Sequence, residues 1–383
     1  MQSKLEGVGT TIFTVMSRRA RELDALNLGQ GFPDYDIDPR LTELVAAAMS
    51  GGHNQYAPME GLPVLRERIA ERLRTSYGRA VDPETEITVT LGATEGIYSA
   101  IQAVLGTGEE AIAFDPAYDS YEPAVRLAGG RCVRLPLAQP GFTYDWERVR
   151  AAMNARTRLV LFNSPHNPAC TAATAADLQA LAEVTAGREV VVLSDEVYEH
   201  VLFDGARHHS VLAHPELATR SIAVFSFGKS LHATGLRVGY CVAPPPLTRE
   251  LRKVHQFNTF SIAHPLQHAI AAYLAARPDC GQGLAAFFQA KRDRLRRALG
   301  GSGFGLPPAQ GTYFQLLDFG EFADGDDRAF AEALLTGARV ATIPLSPFYA
   351  VPQPLTFVRL CIAKRDSTLD EAAARLNAFA ARA

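Results

Sequence analysis

The chain has 383 residues, 47% of them apolar and 21% charged, with 38 Lys plus Arg against 41 Asp plus Glu and a net charge of −3. At about 150 residues per domain, that length predicts one large domain with a smaller companion, and a core that needs neither disulfide nor metal. The charge balance excludes a broad basic footprint for nucleic acid and a polyacidic tail, and no apolar run reaches the roughly 20 residues of a membrane span.

The opening MQSKLEGVGTTIF has one lysine and no continuous apolar stretch, so no secretory leader is expected and the predicted compartment is the cytoplasm. Residues 1–40 read as an N-terminal arm lying against the C-terminal part of the chain. Seven short runs follow: Ile87–Leu91, Ala111–Phe114, Cys132–Leu135, Leu159–Phe162, Val190–Leu193, Ile222–Ser226 and Val238–Val242. They are nearly all apolar rather than alternating, which predicts strands buried on both faces. Helical stretches such as Thr94–Leu105 and Thr174–Thr185 lie between several of them, so crossover connections and a mostly parallel sheet are expected. Then come a long charged helix near Gly283–Leu299, a glycine-rich break at Gly300–Gly305, and strand-like Thr312–Leu317 and Thr356–Cys361. A capping box at Thr368 and Glu371 is expected to open the last helix. The predicted architecture is α/β: a seven-stranded, mostly parallel sheet in a large domain at 41–275, and a small α/β domain at 276–383 completed by residues 1–40. Five widely spaced cysteines without a CxxC predict reduced thiols, and no histidine spacing suggests a metal.

Open α/β sheets bind ligands beyond the carboxyl ends of their strands. The residues placed there are Gly92-Ala93-Thr94-Glu95-Gly96, Asp115-Pro116-Ala117-Tyr118, Asn163 to Pro168, Ser194-Asp195-Glu196-Val197-Tyr198, and Phe227-Gly228-Lys229 after Ser226. Singly, each has an ordinary explanation. Lys229 suits a solvated surface, Asp195 a helix cap, Asn167-Pro168 a turn, Tyr118 the core or its rim, and Gly92–Gly96 a loop. Jointly they supply what one cofactor requires. Pyridoxal phosphate needs a lysine amine for covalent attachment, a carboxylate at its pyridine nitrogen and anchors for its phosphate, and small residues at a helix N-terminus suit a phosphate.

Ser226-Phe227-Gly228-Lys229, followed by Arg237-Val238-Gly239-Tyr240, resembles the lysine signature of class I pyridoxal-phosphate aminotransferases of fold type I. The segments Asn27 to Asp34, Asn54 to Gly61 and Ser194 to His200 resemble the branch containing methionine aminotransferases and kynurenine/glutamine transaminases. The resemblance implies that Lys229 carries the cofactor and moves the proton, Asp195 holds the ring nitrogen, and Tyr198 and Asn167 bond the ring oxygen. It further implies that Tyr118 stacks on the ring, and that Gly92, Ala93, Thr94, Ser226 and Arg237 hold the phosphate. Arg359 would grip the substrate carboxylate beside Gly31 and Phe32, and Tyr56 would reach the site of a second subunit in a homodimer. An amino acid and a 2-oxo acid are the implied substrates, with no metal, nucleic acid or membrane involved. Ile12, Phe13, Phe32, Phe348 and Tyr349 are expected to form an apolar side-chain pocket favouring methionine or aromatic amino acids.

Two departures stand out. Cys170 occupies a position where the family often has Gly, which puts that turn in question, and Leu236 stands where Trp is common. Other readings are weaker. A P-loop ending at Lys229 would need Gly where Ala223 stands. Gly300–Gly305 follows a helix and suits a C-cap, and His208-His209 read as incidental loop imidazoles. The remaining functional alternatives are a kynurenine/glutamine-type transaminase with cysteine-conjugate β-lyase activity, and a non-enzymatic cofactor-binding module.

Overall fold

The computed structural model describes residues 3–351 and 353–382. Helix α1 (Ile12–Glu22) starts where the Thr11 side chain accepts from the Thr14 N–H, and it leads into the two-residue strand β1 (Leu26–Asn27). Helices α2 (Pro39–Ser50) and α3 (Pro63–Tyr77) each open with proline, at a place where no backbone donor is needed. The central stretch runs β2 (Ile87–Thr90), α4 (Gly92–Val104), β3 (Glu110–Asp115), α5 (Tyr121–Leu127), β4 (Arg131–Pro136), α6 (Trp146–Ala152), β5 (Thr157–Asn163) and α7 (Ala175–Thr185). It continues with β6 (Val191–Asp195), β7 (Ser221–Ser226), the single turn α8 (Phe227–Ser230) and β8 (Gly239–Val242). Last come α9 (Pro245–Asn258), α10 (His264–Ala276), α11 (Leu284–Ala298), β9 (Phe314–Asp318), α12 (Asp327–Ala333), β10 (Val340–Ala341), β11 (Ile343–Pro344), β12 (Phe357–Cys361) and α13 (Asp366–Ala380).

The seven strands form one sheet in the order β2-β8-β7-β6-β5-β3-β4. All neighbours are parallel except β8, which runs against both β2 and β7. Two reversals restore direction, so six strands point their carboxyl ends to one edge. Alternate residues of β5 explain the unbroken apolar runs. Leu159 and Leu161 face the core beneath α4, α5 and α9, while Val160 and Phe162 face the core on the other side. The edge strand β4 differs. It carries Arg131, Arg134 and Pro136 and is half-exposed, which discourages pairing with another chain.

A second sheet, β11-β12-β9, is antiparallel, and β1 pairs in parallel with β10, so both chain ends share this part of the molecule. One local expectation is corrected. Helix α13 starts at Asp366, before Thr368, and no capping box forms there. Asp34 takes that role from a distant segment: it accepts from the Arg365 N–H at 2.6 Å and from the Thr368 hydroxyl at 2.7 Å, while Glu371 pairs with Arg375.

Candidate active site

The carboxyl edge of the large sheet holds a cavity of about 160 Å³ lined by Ala93, Thr94, Ile97, Tyr118, Asn163, Asn167, Asp195, Val197, Tyr198, Ser226, Lys229 and Arg237. Most of the cofactor residues named from the sequence therefore meet in one place. Gly92 opens α4 with φ +68°, and a Cβ there would stand 2.9 Å from Nη2 of Arg237. Glycine takes that left-handed backbone without strain and leaves the guanidinium its place. Arg237 is itself exposed and left-handed, and Nη1 donates to the Thr234 carbonyl at 3.3 Å, which leaves the rest of its fork available. A helix N-terminus facing a guanidinium is a cradle for a dianion.

Asp195 ends β6 and is buried. Burial pushes its carboxyl up to about 6, opposed by a hydrogen bond from Tyr121 and by the charge of Lys229. The Tyr121 hydroxyl donates to Oδ2 at 2.7 Å. Lys229 sits in the short α8, where burial brings its amine down to about 8. A lysine brought this low has a substantial neutral fraction near physiological pH, as a nucleophile and proton carrier requires. Nζ donates to the Tyr313 hydroxyl at 2.6 Å, and that hydroxyl donates to the Gly31 carbonyl at 2.7 Å. Tyr198 stands with its ring perpendicular to Tyr313, centroids 5.0 Å apart, and burial raises its phenol well above the ordinary value. Tyr118 meets Tyr121 edge-on at 5.6 Å.

Arg359 lies in β12 and is only 1% exposed. Nη1 donates to Asn167 Oδ1 at 2.5 Å and Nη2 to the Gly29 carbonyl at 3.1 Å, while buried Nε has no partner. Its guanidinium stacks 3.8 Å from the Phe314 ring centre, with Phe13 at 5.1 Å and Phe348 at 5.9 Å. It forms no salt bridge among the described residues. A buried guanidinium with a free donor and no carboxylate calls for an anion from outside the chain. Two expected pocket residues are thus beside it, whereas Phe32 is 41% exposed, its carbonyl and ring engaged by Lys364. Tyr56 does not join the cavity. It is 83% exposed and touches Phe260.

Several contributors escaped the sequence reading. Tyr121 and Tyr313 were among them, because a tyrosine in an apolar segment carries no signal of what its hydroxyl meets. Glu196 was placed at the sheet edge without a role: its carboxylate accepts from Ser194 Oγ at 2.8 Å and the Val211 N–H at 3.0 Å, and lies 2.7 Å from His208 Nε2. His208 is thus a buried structural partner that braces the loop after β6, a correction to its reading as an incidental imidazole. Glu95 bonds the Leu91 N–H at 3.1 Å and His255 Nδ1 at 3.0 Å, pinning the start of α4. The turn at Cys170 keeps a glycine-like form with φ +63°, and the thiol is directed to the Pro168 carbonyl at 3.3 Å.

An amine, a buried carboxylate, an aromatic wall and an anion cradle on one sheet edge fit a phosphorylated pyridine cofactor held covalently, so the architecture is that of a pyridoxal-phosphate enzyme. The family model "Aminotransferase class I and II" matches residues 24–376. The chain is 50% identical over 376 residues to a methionine aminotransferase of Escherichia coli strain K12, covering 98% of this chain and 97% of that one. A solved E. coli structure, reported with a methionine aminotransferase function, superposes with a TM-score of 0.96 at 49% identity over 99% of each chain. A probable N-succinyldiaminopimelate aminotransferase of Mycobacterium tuberculosis is 38% identical over 99% of this chain and 98% of its own. The chain therefore belongs to the class I and II aminotransferases, and it is a pyridoxal-phosphate-dependent enzyme that transfers amino groups between amino acids and 2-oxo acids. No described helix is long and apolar enough to cross a membrane.

Proposed function

We propose that the preferred amino donor is L-methionine, with phenylalanine and other neutral side chains accepted more slowly, and that the acceptor is a 2-oxo acid. The observation that carries this is the setting of Arg359: one guanidinium for the α-carboxylate, flanked by Phe13, Phe314 and Phe348 rather than by a second cation. Such a rim suits a thioether or phenyl group and offers a distal carboxylate no partner. The relation to the E. coli methionine aminotransferase supports the same choice. The kynurenine/glutamine reading and the non-enzymatic module are not favoured.

Pyridoxal phosphate, when bound, supplies the carbonyl that exchanges the amino group and the ring that takes up the electron pair released at the substrate Cα. In this reading the helix start at Gly92, Ala93 and Thr94, with Ser226 and Arg237, binds the phosphate. Asp195 faces the ring nitrogen, where a cationic ring would return its carboxyl to the ionised form. Tyr198 and Asn167 would hold the ring oxygen, and Tyr118 would lie against the ring. Arg359 would orient the substrate carboxylate through a planar fork, with the Gly29–Gly31 backbone beside it. Lys229 would take the substrate Cα proton on Nζ and later return it. The small unit of 1–40 and 276–383 brings Gly31 and Arg359 to the site of 41–275, where Arg359 meets Asn167. Tyr56, so exposed in a single chain, reaches the phosphate of a second subunit in a homodimer. Five unpaired cysteines agree with a cytoplasmic setting.

The test is visible absorbance of the holoprotein with L-methionine and no oxo acid. Loss of the yellow band, restored by a 2-oxo acid, is the expected result, with aspartate turning over more slowly. Faster turnover of aspartate than of methionine would overturn the substrate assignment.

A further inference from the structure

The contact between Lys229 and Tyr313 has a directionality that its neighbours impose. Tyr313 has one hydroxyl proton, and the Gly31 carbonyl takes it at 2.7 Å. Toward Nζ, at 2.6 Å, the oxygen can therefore only accept. Tyr313 is 1% exposed, so neither bond is shared with bulk water. The carbonyl itself is held in place: a Cβ on Gly31 would stand 2.7 Å from Phe314 Cζ, so the backbone there is pressed onto the Tyr313-Phe314 pair. Two residues earlier the Gly29 carbonyl accepts from Arg359, whose guanidinium lies on Phe314. One packed unit thus touches both the carboxylate-binding arginine and the lysine amine.

We propose that Tyr313 is a further catalytic residue: it is the acceptor that holds the Lys229 amine when that amine is not bonded to the cofactor, and it sets the position from which Nζ exchanges the substrate Cα proton. The inference rests on the transaminase reading above. In the step it serves, the Cα–H bond breaks and an N–H bond forms on Nζ; the electron pair left at Cα passes to the cofactor, and Tyr313 keeps its own proton. By accepting an N–H it favours the ammonium form that results. The other ionisable or charged groups facing Nζ are Asp195, Arg237, Arg359, Cys361 and Tyr198, of which Tyr198 also meets Tyr313 directly, and Tyr313→Phe deletes none of these side chains.

The experiment compares wild type with Tyr313→Phe as holoenzymes, following the loss of visible absorbance in a single turnover with L-methionine and with Cα-deuterated L-methionine. The expected result has three parts. The variant binds cofactor with an unchanged resting spectrum. Its single-turnover rate falls about 10- to 100-fold, the size of a general acid–base contribution, with a larger deuterium effect. The rising limb of its rate–pH profile moves to lower pH, because the ammonium has lost an acceptor. An isotope effect and pH limb like those of wild type would overturn the proposal and leave Tyr313 as packing only. If Tyr313→Phe fails to fold, Tyr313→Met, which is also apolar and lacks the hydroxyl, carries the same comparison. The substrate reading fails separately: if wild type leaves methionine unchanged, that assignment is lost, and Tyr313 is judged by the same ratios with the amino acid that wild type does convert.

Discussion

Replacing Lys229 by Met should make the cofactor-free protein more stable at neutral pH while abolishing transamination. The amine falls from 10.5 to about 8 because the fold withdraws it from water. At about 1.4 kcal/mol per unit, holding it protonated at pH 7 costs about 3 kcal/mol. Lys229 is partly exposed to the cavity, and screening by water there reduces this to about 2 kcal/mol. Losing the hydrogen bond to Tyr313 returns about 1 kcal/mol, so the net gain for Lys229→Met is about 1 kcal/mol at pH 7. The sign with pH follows from the depressed value. The penalty is full below about 8, shrinks as the folded amine loses its proton, and is gone above 10.5, where the unfolded chain is neutral too. The gain should therefore decline across pH 8–10 and reverse once only the lost hydrogen bond counts. Urea unfolding of both cofactor-free proteins at pH 7, 8.5 and 10 measures it. A variant less stable at pH 7, or a difference that does not change with pH, would refute the reasoning.

Asp195→Asn removes a carboxyl raised from 3.8 to about 6 by burial, so cofactor-free wild type should lose about 2 kcal/mol relative to the variant as pH rises from 4 to 6; parallel melting curves over that range check it, and the holoprotein should show the opposite ranking at pH 7.5. Arg359→Lys replaces a planar fork by a point charge, and kcat/KM for methionine should fall about 100-fold with the resting spectrum retained; a loss under threefold in steady-state assays would remove Arg359 from carboxylate binding. Tyr56→Phe should weaken cofactor affinity about tenfold although the residue is exposed in the single chain, and equilibrium dialysis showing no change would count against a shared site.

The strands were readable because burial on both faces leaves no room for alternation. The seven apolar runs fall on β2 to β8 with ends shifted by a residue or two, and Thr174 caps α7 through a true capping box with Asp177. The expected capping box at Thr368 failed because the competing partner, Asp34, lies 334 positions away in sequence and no local pattern reports it. The same limit governs the site. Lys229, Asp195 and Asn167 end or follow strands, where topology alone predicts a ligand, whereas Arg237 precedes β8 and was named only through the family resemblance. Tyr121, Tyr313 and His208 act through single hydroxyls or a ring nitrogen whose partners are set by tertiary packing. Cys170 shows the converse: its residue type cast doubt on a turn that the backbone nevertheless adopts at φ +63°. The Pro168 carbonyl, which accepts a hydrogen bond from the thiol, helps offset that conformation.

The buried charges of this site make sense as unfinished pairs. Among the described residues Asp195 has no cation at hydrogen-bond distance and is pushed toward its neutral form, Lys229 is pushed toward its free amine, and Arg359 keeps Nε without an acceptor. Each departure opposes folding, since an ionised group without a close partner is costly in a desolvated place. A pyridinium beside Asp195, an aldehyde at Lys229 and a carboxylate at Arg359 would relieve all three, and the relief from each would appear as binding energy. It follows that cofactor and substrate should stabilise the fold more than their contact area suggests. It also follows that the two ligands should couple, because Arg359 and Lys229 share the Gly29–Gly31 backbone and the Tyr313-Phe314 pair between them. Methionine should accordingly raise the melting temperature of the holoprotein by more than that of the cofactor-free protein, and equal shifts would show that the two sites act independently.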